Sequence, residues 1–311
     1  MIKYVTLALK GMAMGMAEVV PGVSGGTIAF ITGIYEELLN TIKGLTPKKL
    51  LLLKNEGFAS FWKAINGNFL LGLFAGMLMG LVVGVLVISH LLETQPILVW
   101  SFFFGLIAAS VIYVARQIEK WTLTEIVLLI LTTALSYYIT IASPSQGPQQ
   151  LWFVFLAGFI AICALMLPGV SGSFLLLLMG MYQYIVTDNV KALISNFNTE
   201  SLVVVLVFGL GCLAGVLTFS RVLSWTFKNY RTPTLAALTG FLIGSLNKVW
   251  PWKQVLTTRI NSHGEEIAVQ TKSILPSSFA GEPQVVMAVL MMVVGFVLIL
   301  AMDKMSNKKV E

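Results

Sequence analysis

Pro21-Gly22-Val23-Ser24-Gly25-Gly26-Thr27 and Pro168-Gly169-Val170-Ser171-Gly172-Ser173 are two copies of one element, followed at the same spacing by Gly33-Ile34-Tyr35 and Gly180-Met181-Tyr182. Each copy interrupts an apolar stretch, residues 4–35 and 151–187. At roughly 20 residues per bilayer crossing, each stretch is too long for one crossing and short for two. Proline ends an incoming helix, and glycine lets the chain turn sharply. A backbone broken at membrane depth is tolerated where it is buried in protein or faces a watery cavity. Each stretch is therefore expected to enter, break and return to the same side as a re-entrant hairpin.

The composition places these elements in a membrane. Of 311 residues, 57% are hydrophobic and 11% charged, against about a quarter charged in soluble domains, and the mean hydropathy is +0.87. No sizeable soluble catalytic domain fits into what remains. The 20 basic residues outnumber the 14 acidic ones, giving a net charge of +6. In a membrane protein such a surplus reports cytoplasmic loops, and nucleic acid is not an expected partner. Cys163 and Cys212 sit in apolar runs and read as small packing residues, not as a disulfide or metal pair. No cleavage signal follows Lys3, so residues 1–35 are expected to stay in the mature protein.

Uncharged spans at 69–89, 97–115, 126–142, 202–220 and 284–302, with a shorter one at 234–247, predict six transmembrane helices. The repeat extends into them: Gly76 and Gly80 correspond to Gly211 and Gly215, and Gly105 to Ser110 corresponds to Gly240 to Ser245. Two halves follow, 1–145 and 148–305. A hairpin and three crossings in each put the second half on the opposite side from the first, so the repeats are inverted. With both termini inside, the cytoplasmic segments, among them the 43–63 loop, collect fifteen of the 20 basic residues, as the positive-inside rule requires. The external loops 90–96 and 143–150 hold no lysine or arginine, and 248–283 is a long external segment. The predicted fold is an all-α integral membrane protein of two inverted-topology repeats, with six transmembrane helices and two re-entrant broken hairpins.

The first amides of a new half-helix have no intrahelical partner and carry the positive end of the dipole, so they attract phosphate or carboxylate. Two such ends meeting near the midplane is the arrangement of secondary transporters with discontinuous helices. The substrate-binding candidates are Gly22, Ser24, Gly25, Gly26, Thr27, Gly169, Ser171, Gly172 and Ser173, with Gly25 and Gly172 expected at positive φ. Arg116 and Arg221, each closing a predicted helix on the cytoplasmic side, are further candidates for a head group, although basic residues there are also topology anchors. Glu18, three residues before Pro21, is the candidate for proton coupling, because charge at that depth is costly. The alternative for Glu18 is that it satisfies amides of the glycine-rich turn. Ser110 and Ser245 are candidate interhelical hydrogen bonders, the small-xxx-small pairs are packing faces, and Trp152, Trp225, Trp250 and Trp252 read as interface anchors.

Gly11 to Tyr35, with Ala17-Glu18-Val19-Val20 leading into the first element, and Leu167 to Ser173 resemble the bacterial polyprenyl-phosphate transporters once catalogued as a domain of unknown function. The resemblance covers nearly the whole chain. It implies a flippase in the cytoplasmic membrane that returns undecaprenyl phosphate to the inner leaflet for envelope polymer synthesis, with a polyprenyl phosphate lipid as partner and no cofactor. Spacing alone says only anion transporter. Two alternatives stand beside it. Undecaprenyl-pyrophosphate phosphatases have a similar Pro-Gly-x-Ser element, but it continues into Arg-Ser where this chain has Gly25-Gly26 and Gly172-Ser173. His90 and His263, the only histidines, fall in predicted external loops, away from either motif. A small-anion channel or exchanger would use the same helix ends.

Overall fold

A computed structural model describes residues 2–20, 22–145, 147–260 and 266–307; Pro21 and His263 lie outside the described residues. Helix α1 (Ile2–Glu18) ends at the first Pro-Gly element, and α2 (Gly25–Ile31) and α3 (Tyr35–Lys43) lead the chain back past it. The hydrogen bond from Lys10 Nζ to the Thr32 carbonyl, 2.5 Å, closes this hairpin. The second element does the same between α10 (Leu151–Met166) and α11 (Gly172–Leu178). Backbone geometry repeats with the sequence: Gly22 and Gly169 have φ of +90° and +83°, and Gly33 and Gly180 have +72° and +70°. Left-handed values of this kind are open to glycine at little cost, which is why glycine stands at these four corners.

Between and after the hairpins lie α4 (Pro47–Asn55), α5 (Phe58–Ala64), α6 (Gly67–Val83), α7 (Ser89–Thr94), α8 (Pro96–Ala115), α9 (Leu123–Ile141), α12 (Lys191–Asn196), α13 (Thr199–Asn229), α14 (Arg231–Ser245) and α15 (Val285–Asn307). π-helical turns at Gly84–Ile88 and Gln183–Val190 carry α6 into α7 and lead into α12. Helix α9 starts in a capping box in which the Thr122 amide and hydroxyl both donate to Glu125, satisfying donors that a helix start leaves free. Among the described residues, four helices are long and apolar enough to cross a membrane: 67–94, 96–115, 123–141 and 199–229.

Glycines set the close packing. Helix α1 lies along α6 with Gly11 and Gly15 against Leu73 and Met77, and Gly76 and Gly80 against Ala8 and Met12. A Cβ at Gly76 would sit 2.1 Å from the Ala8 carbonyl oxygen. The α10–α13 contact uses the matching residues: a Cβ at Gly211 would meet the Phe155 carbonyl oxygen at 2.1 Å. Gly105 seats α8 on Met292 of α15, and Gly240 seats α14 on Leu129 and Thr132 of α9. Small residues allow such backbone approach, which drives helix association where lipid supplies no hydrophobic contrast.

Several expectations need correction. The external loop 90–96 is helical apart from Gln95, with exposed His90 inside α7, and the 43–63 loop contains α4 and α5. The short 234–247 span falls in α14, which begins three residues earlier, at Arg231, and ends at Ser245. Segment 248–283 contains an antiparallel hairpin, β1 (Lys253–Ile260) and β2 (Glu266–Ser273). Trp250 and Trp252 are packed within the protein instead of anchoring an interface: Trp252 is 3% exposed, and their indole N–H groups donate to the Ile274 and Pro283 carbonyls, both at 2.8 Å.

Substituting leucine for Gly76 or Gly211 should lower the unfolding midpoint in detergent, with a destabilisation of order 1–3 kcal/mol from overpacking. Gly209 of α13 has no heavy atom within 4 Å of a built Cβ, so Gly209→Ala should leave the midpoint unchanged or raise it, since alanine is the better helix former. Equal losses from all three would refute glycine-mediated contact.

Candidate functional site

The two broken tips are in direct contact. Ser24 Oγ donates to the Leu165 carbonyl at 3.0 Å, and Tyr35 Oη donates to the Met166 carbonyl at 2.6 Å. These are carbonyls of the last turn of α10, which a helix end leaves without intrahelical donors. In return, the Gly169 amide donates to Thr27 Oγ1 at 3.0 Å. Gly26 cannot carry a side chain here, because a Cβ would fall 2.8 Å from the Leu165 carbonyl oxygen. Residues Gly22 to Phe30 are all buried, with Ser24 fully so.

The two half-helices differ in what satisfies their first amides. In α2 the Gly25 amide donates to Glu18 Oε1 at 2.6 Å, the Gly26 amide to Ser24 Oγ at 3.0 Å, and the Thr27 amide to the Ser24 carbonyl at 2.9 Å. Glu18 thus occupies, as an internal carboxylate, the place that an anion would take. In α11 the Phe174 amide donates to Ser171 Oγ at 3.4 Å, and the Ser171 and Ser173 hydroxyls lie 3.0 Å apart. Among the described residues the amides of Gly172 and Ser173 have no hydrogen-bond partner, and Ser173 is exposed. Leu165 stands where the second copy would need an acid. The first tip therefore carries its own carboxyl acceptor, and the second has none among the described residues.

Of the sequence candidates, Glu18, Gly22, Ser24, Gly25, Gly26 and Thr27 come together with Gly169, Ser171, Gly172 and Ser173. Arg116 and Arg221 do not join them. Both are exposed, Arg116 just beyond α8 and Arg221 within α13 instead of at its end, with Nη1 donating to the carbonyl of Leu217 at 2.7 Å. Gly25 and Gly172 have ordinary helical φ; the positive values fall at Gly22 and Gly169. What excludes side chains at Gly25 and Gly172 is proximity, to Glu18 Oε1 at 2.7 Å and to the Ala161 carbonyl oxygen at 2.3 Å. Ser110 and Ser245 bond within their own helices, to the Leu106 and Leu242 carbonyls.

Three features escaped the sequence reading. Tyr35, noticed only as part of the repeat, caps α10. Its ring stacks with Phe30 and Phe227, at centroid distances of 5.3 and 5.9 Å. Beyond that stack lies a polar cleft of about 380 Å³ lined by Asn40, Lys43, Ser224, Lys228 and the Glu36–Arg231 ion pair, 2.6 Å. On the other flank of α2, an apolar cavity of about 520 Å³ is lined by Ala17, Ile28, Leu91, Phe102, Leu106 and Leu298, among others. The third feature is Lys248, which touches both tips: a Cβ at Gly22 would lie 2.3 Å from its Cγ, and its ammonium sits 3.8 Å from the Phe174 ring centroid. A lone lysine just past a short apolar helix was the only sequence signal for it.

A family model described as VCA0040-like, undecaprenyl phosphate translocase-like, matches residues 14–267. A polyprenyl-phosphate transporter of Vibrio cholerae serotype O1 is 42% identical over 311 residues, covering 99% of this chain and 98% of the relative. A protein of the same name from Staphylococcus aureus is 31% identical over 255 residues, covering 78% and 85%. No solved structure matches the chain. On a match that spans both Pro-Gly elements, and on relatives alike along most of their length, the chain belongs to the undecaprenyl phosphate translocase-like family and is a membrane transporter, not an enzyme.

Proposed function

We propose that this chain returns undecaprenyl phosphate, or a similar polyprenyl phosphate, from the outer to the cytoplasmic leaflet of the bacterial inner membrane, where it is reused in envelope polymer synthesis. The observation that carries the reading is the pair of touching tips, one closed by Glu18 and one whose Gly172 and Ser173 amides have no partner among the described residues. Phosphate suits that open end, since it supplies acceptors to N–H and O–H donors together. The apolar cavity beside α2 favours a lipid over a small ion, because an isoprenoid tail gains about 0.8 kcal/mol for each CH₂ kept out of water. Only the head group then crosses through protein.

The same reading places six crossings and two re-entrant hairpins in two inverted halves, 1–145 and 148–305, with both termini in the cytoplasm. Its support is the pairing pattern. Helix α1 pairs with α6 as α10 does with α13, while α8–α15 and α9–α14 each join one half to the other. A two-fold relation between halves exchanges these pairs with one another. Transport then proceeds by alternating access. In the present state the Phe30–Tyr35–Phe227 stack separates the tips from the cleft at Lys43, Lys228 and Arg231, which would receive the head group on the cytoplasmic side.

The test is a leaflet-flip assay in proteoliposomes with undecaprenyl phosphate, run beside phosphate release from undecaprenyl pyrophosphate. Flipping without release is expected; release without flipping would contradict the proposal. Gly172→Val should abolish flipping in inserted protein. Ser24→Ala with Ser171→Ala should impair it more than either alone, Ser24→Ala by removing a neutral contact between the tips of about 1 kcal/mol.

For topology, a cysteine introduced at Ser145 should react with an impermeant thiol reagent in intact cells, and one at Asn55 should not. External labelling at Asn55 would overturn the inverted arrangement.

Glu18 is the proposed proton-coupling residue, because its protonation would weaken its hold on the Gly25 amide and unlock the first tip. Glu18→Gln should keep head-group binding and lose the dependence of flipping on an imposed pH gradient. Wild-type gradient dependence in Glu18→Gln would leave Glu18 as a cap alone.

A further inference from the structure

Lys248 follows α14 in a turn that is held from three sides. Asn247 Nδ2 donates to Thr140 Oγ1 of α9 at 2.7 Å, and Asn247 Oδ1 accepts from Ser273 Oγ of β2 at 2.9 Å. Lys253, the first residue of β1, donates from Nζ to the Lys248 carbonyl at 2.5 Å. The Lys253 ammonium also lies 3.6 Å from the centroid of the Trp100 ring of α8. The β hairpin, α9 and α8 thus fix the backbone from which the Lys248 side chain runs over Gly22 to the face of Phe174.

Among the described residues neither lysine has a carboxylate within salt-bridge distance. Aromatic faces offset part of the cost of burying an ammonium but do not neutralise it. Burial, and then the charge of Lys248, hold the Lys253 ammonium well below the usual lysine range. Lys248 is intermediate in exposure, and burial lowers its ammonium from the usual lysine range to about 8. Phe174 belongs to the first turn of α11, so the Lys248 ammonium lies against the half-helix of the second tip.

We propose that Lys248, positioned by Lys253, is the cation that binds the phosphate monoester of the transported lipid, bridging the two tips through the head group. The assignment rests on the transport function proposed above and adds to it a residue that ties substrate charge to tip contact. A phosphate dianion at this point supplies the missing counter-charge for both lysines. Its arrival also draws the Lys248 ammonium from the Phe174 face, and with it the side chain that covers Gly22.

Full-length protein in detergent, titrated with undecaprenyl phosphate and followed by intrinsic tryptophan fluorescence, tests this, with undecaprenol as the uncharged probe. Lys248→Met keeps the aliphatic stem over Gly22 and removes the charge. It should raise the apparent Kd for undecaprenyl phosphate about ten- to hundredfold, the range for a charged hydrogen bond. It should also flatten the salt dependence of binding while leaving the unfolding midpoint and undecaprenol binding unchanged. Lys248→Arg should stay within about threefold of wild type, because the charge is retained. If Lys248→Met does not insert, Lys253→Gln carries the test, with a several-fold rise in Kd expected from loss of positioning. Wild-type affinity and salt dependence in the inserted lysine variant tested overturn the assignment and leave the transport function standing. Wild-type protein that neither binds nor flips undecaprenyl phosphate removes the transport reading, and this assignment with it.

Discussion

Breaking a helix inside an apolar protein leaves amides and carbonyls that must find partners, since each unpaired buried group costs a few kcal/mol. The rest of this molecule is arranged around meeting that demand twice. The two breaks satisfy each other: hydroxyls of Ser24 and Tyr35 close the end of α10, and Thr27 accepts from the turn that follows it. Neither tip would be stable alone at that depth. The glycine seams that bring α1 onto α6 and α10 onto α13 place the tips within reach. Positive φ at Gly22 and Gly169 then aims each half-helix back the way it came.

Function follows from the place where the arrangement is unequal. A symmetric pair of closed tips would be a packing device. Here the first tip is closed by the Glu18 carboxylate, and its counterpart position, Leu165, offers the second tip nothing. A carboxyl acceptor is therefore supplied internally on one side and missing on the other. Transport of a phosphate lipid uses such an arrangement well, because the head group completes a structure that is otherwise short of one anion. The hydrogen bonds between the tips are few and each is modest in net worth, about 1 kcal/mol. They can be exchanged for contacts to substrate without unfolding either hairpin.

Much of this was legible in the residues. The repeated Pro-Gly-Val-Ser and Gly-x-Tyr spacing marks both breaks and the later corner glycines, and the Gly76, Gly80, Gly211 and Gly215 pattern marks the packing faces. What could not be read is which partner each polar group takes. Ser24 and Thr27 looked like donors for a ligand, yet they spend their hydrogen bonds on the opposite tip, a contact between residues more than a hundred positions apart that no local pattern encodes. Arg116 and Arg221 had the right chemistry but lie outside the site. Lys248, which lies in it, sits in a segment that read as an external loop. The β hairpin that holds it was missed because Val255, Leu256 and the threonines near them alternate too weakly to stand out in so apolar a chain.

The most direct measurement of the central claim is an experimental structure of the protein with undecaprenyl phosphate bound in lipid. The account predicts phosphate density at the second tip, within hydrogen-bond distance of the Gly172 and Ser173 amides, with Glu18 still on the Gly25 amide in the state described here. Phosphate density remote from both tips, or tips that do not touch in any state, would contradict it.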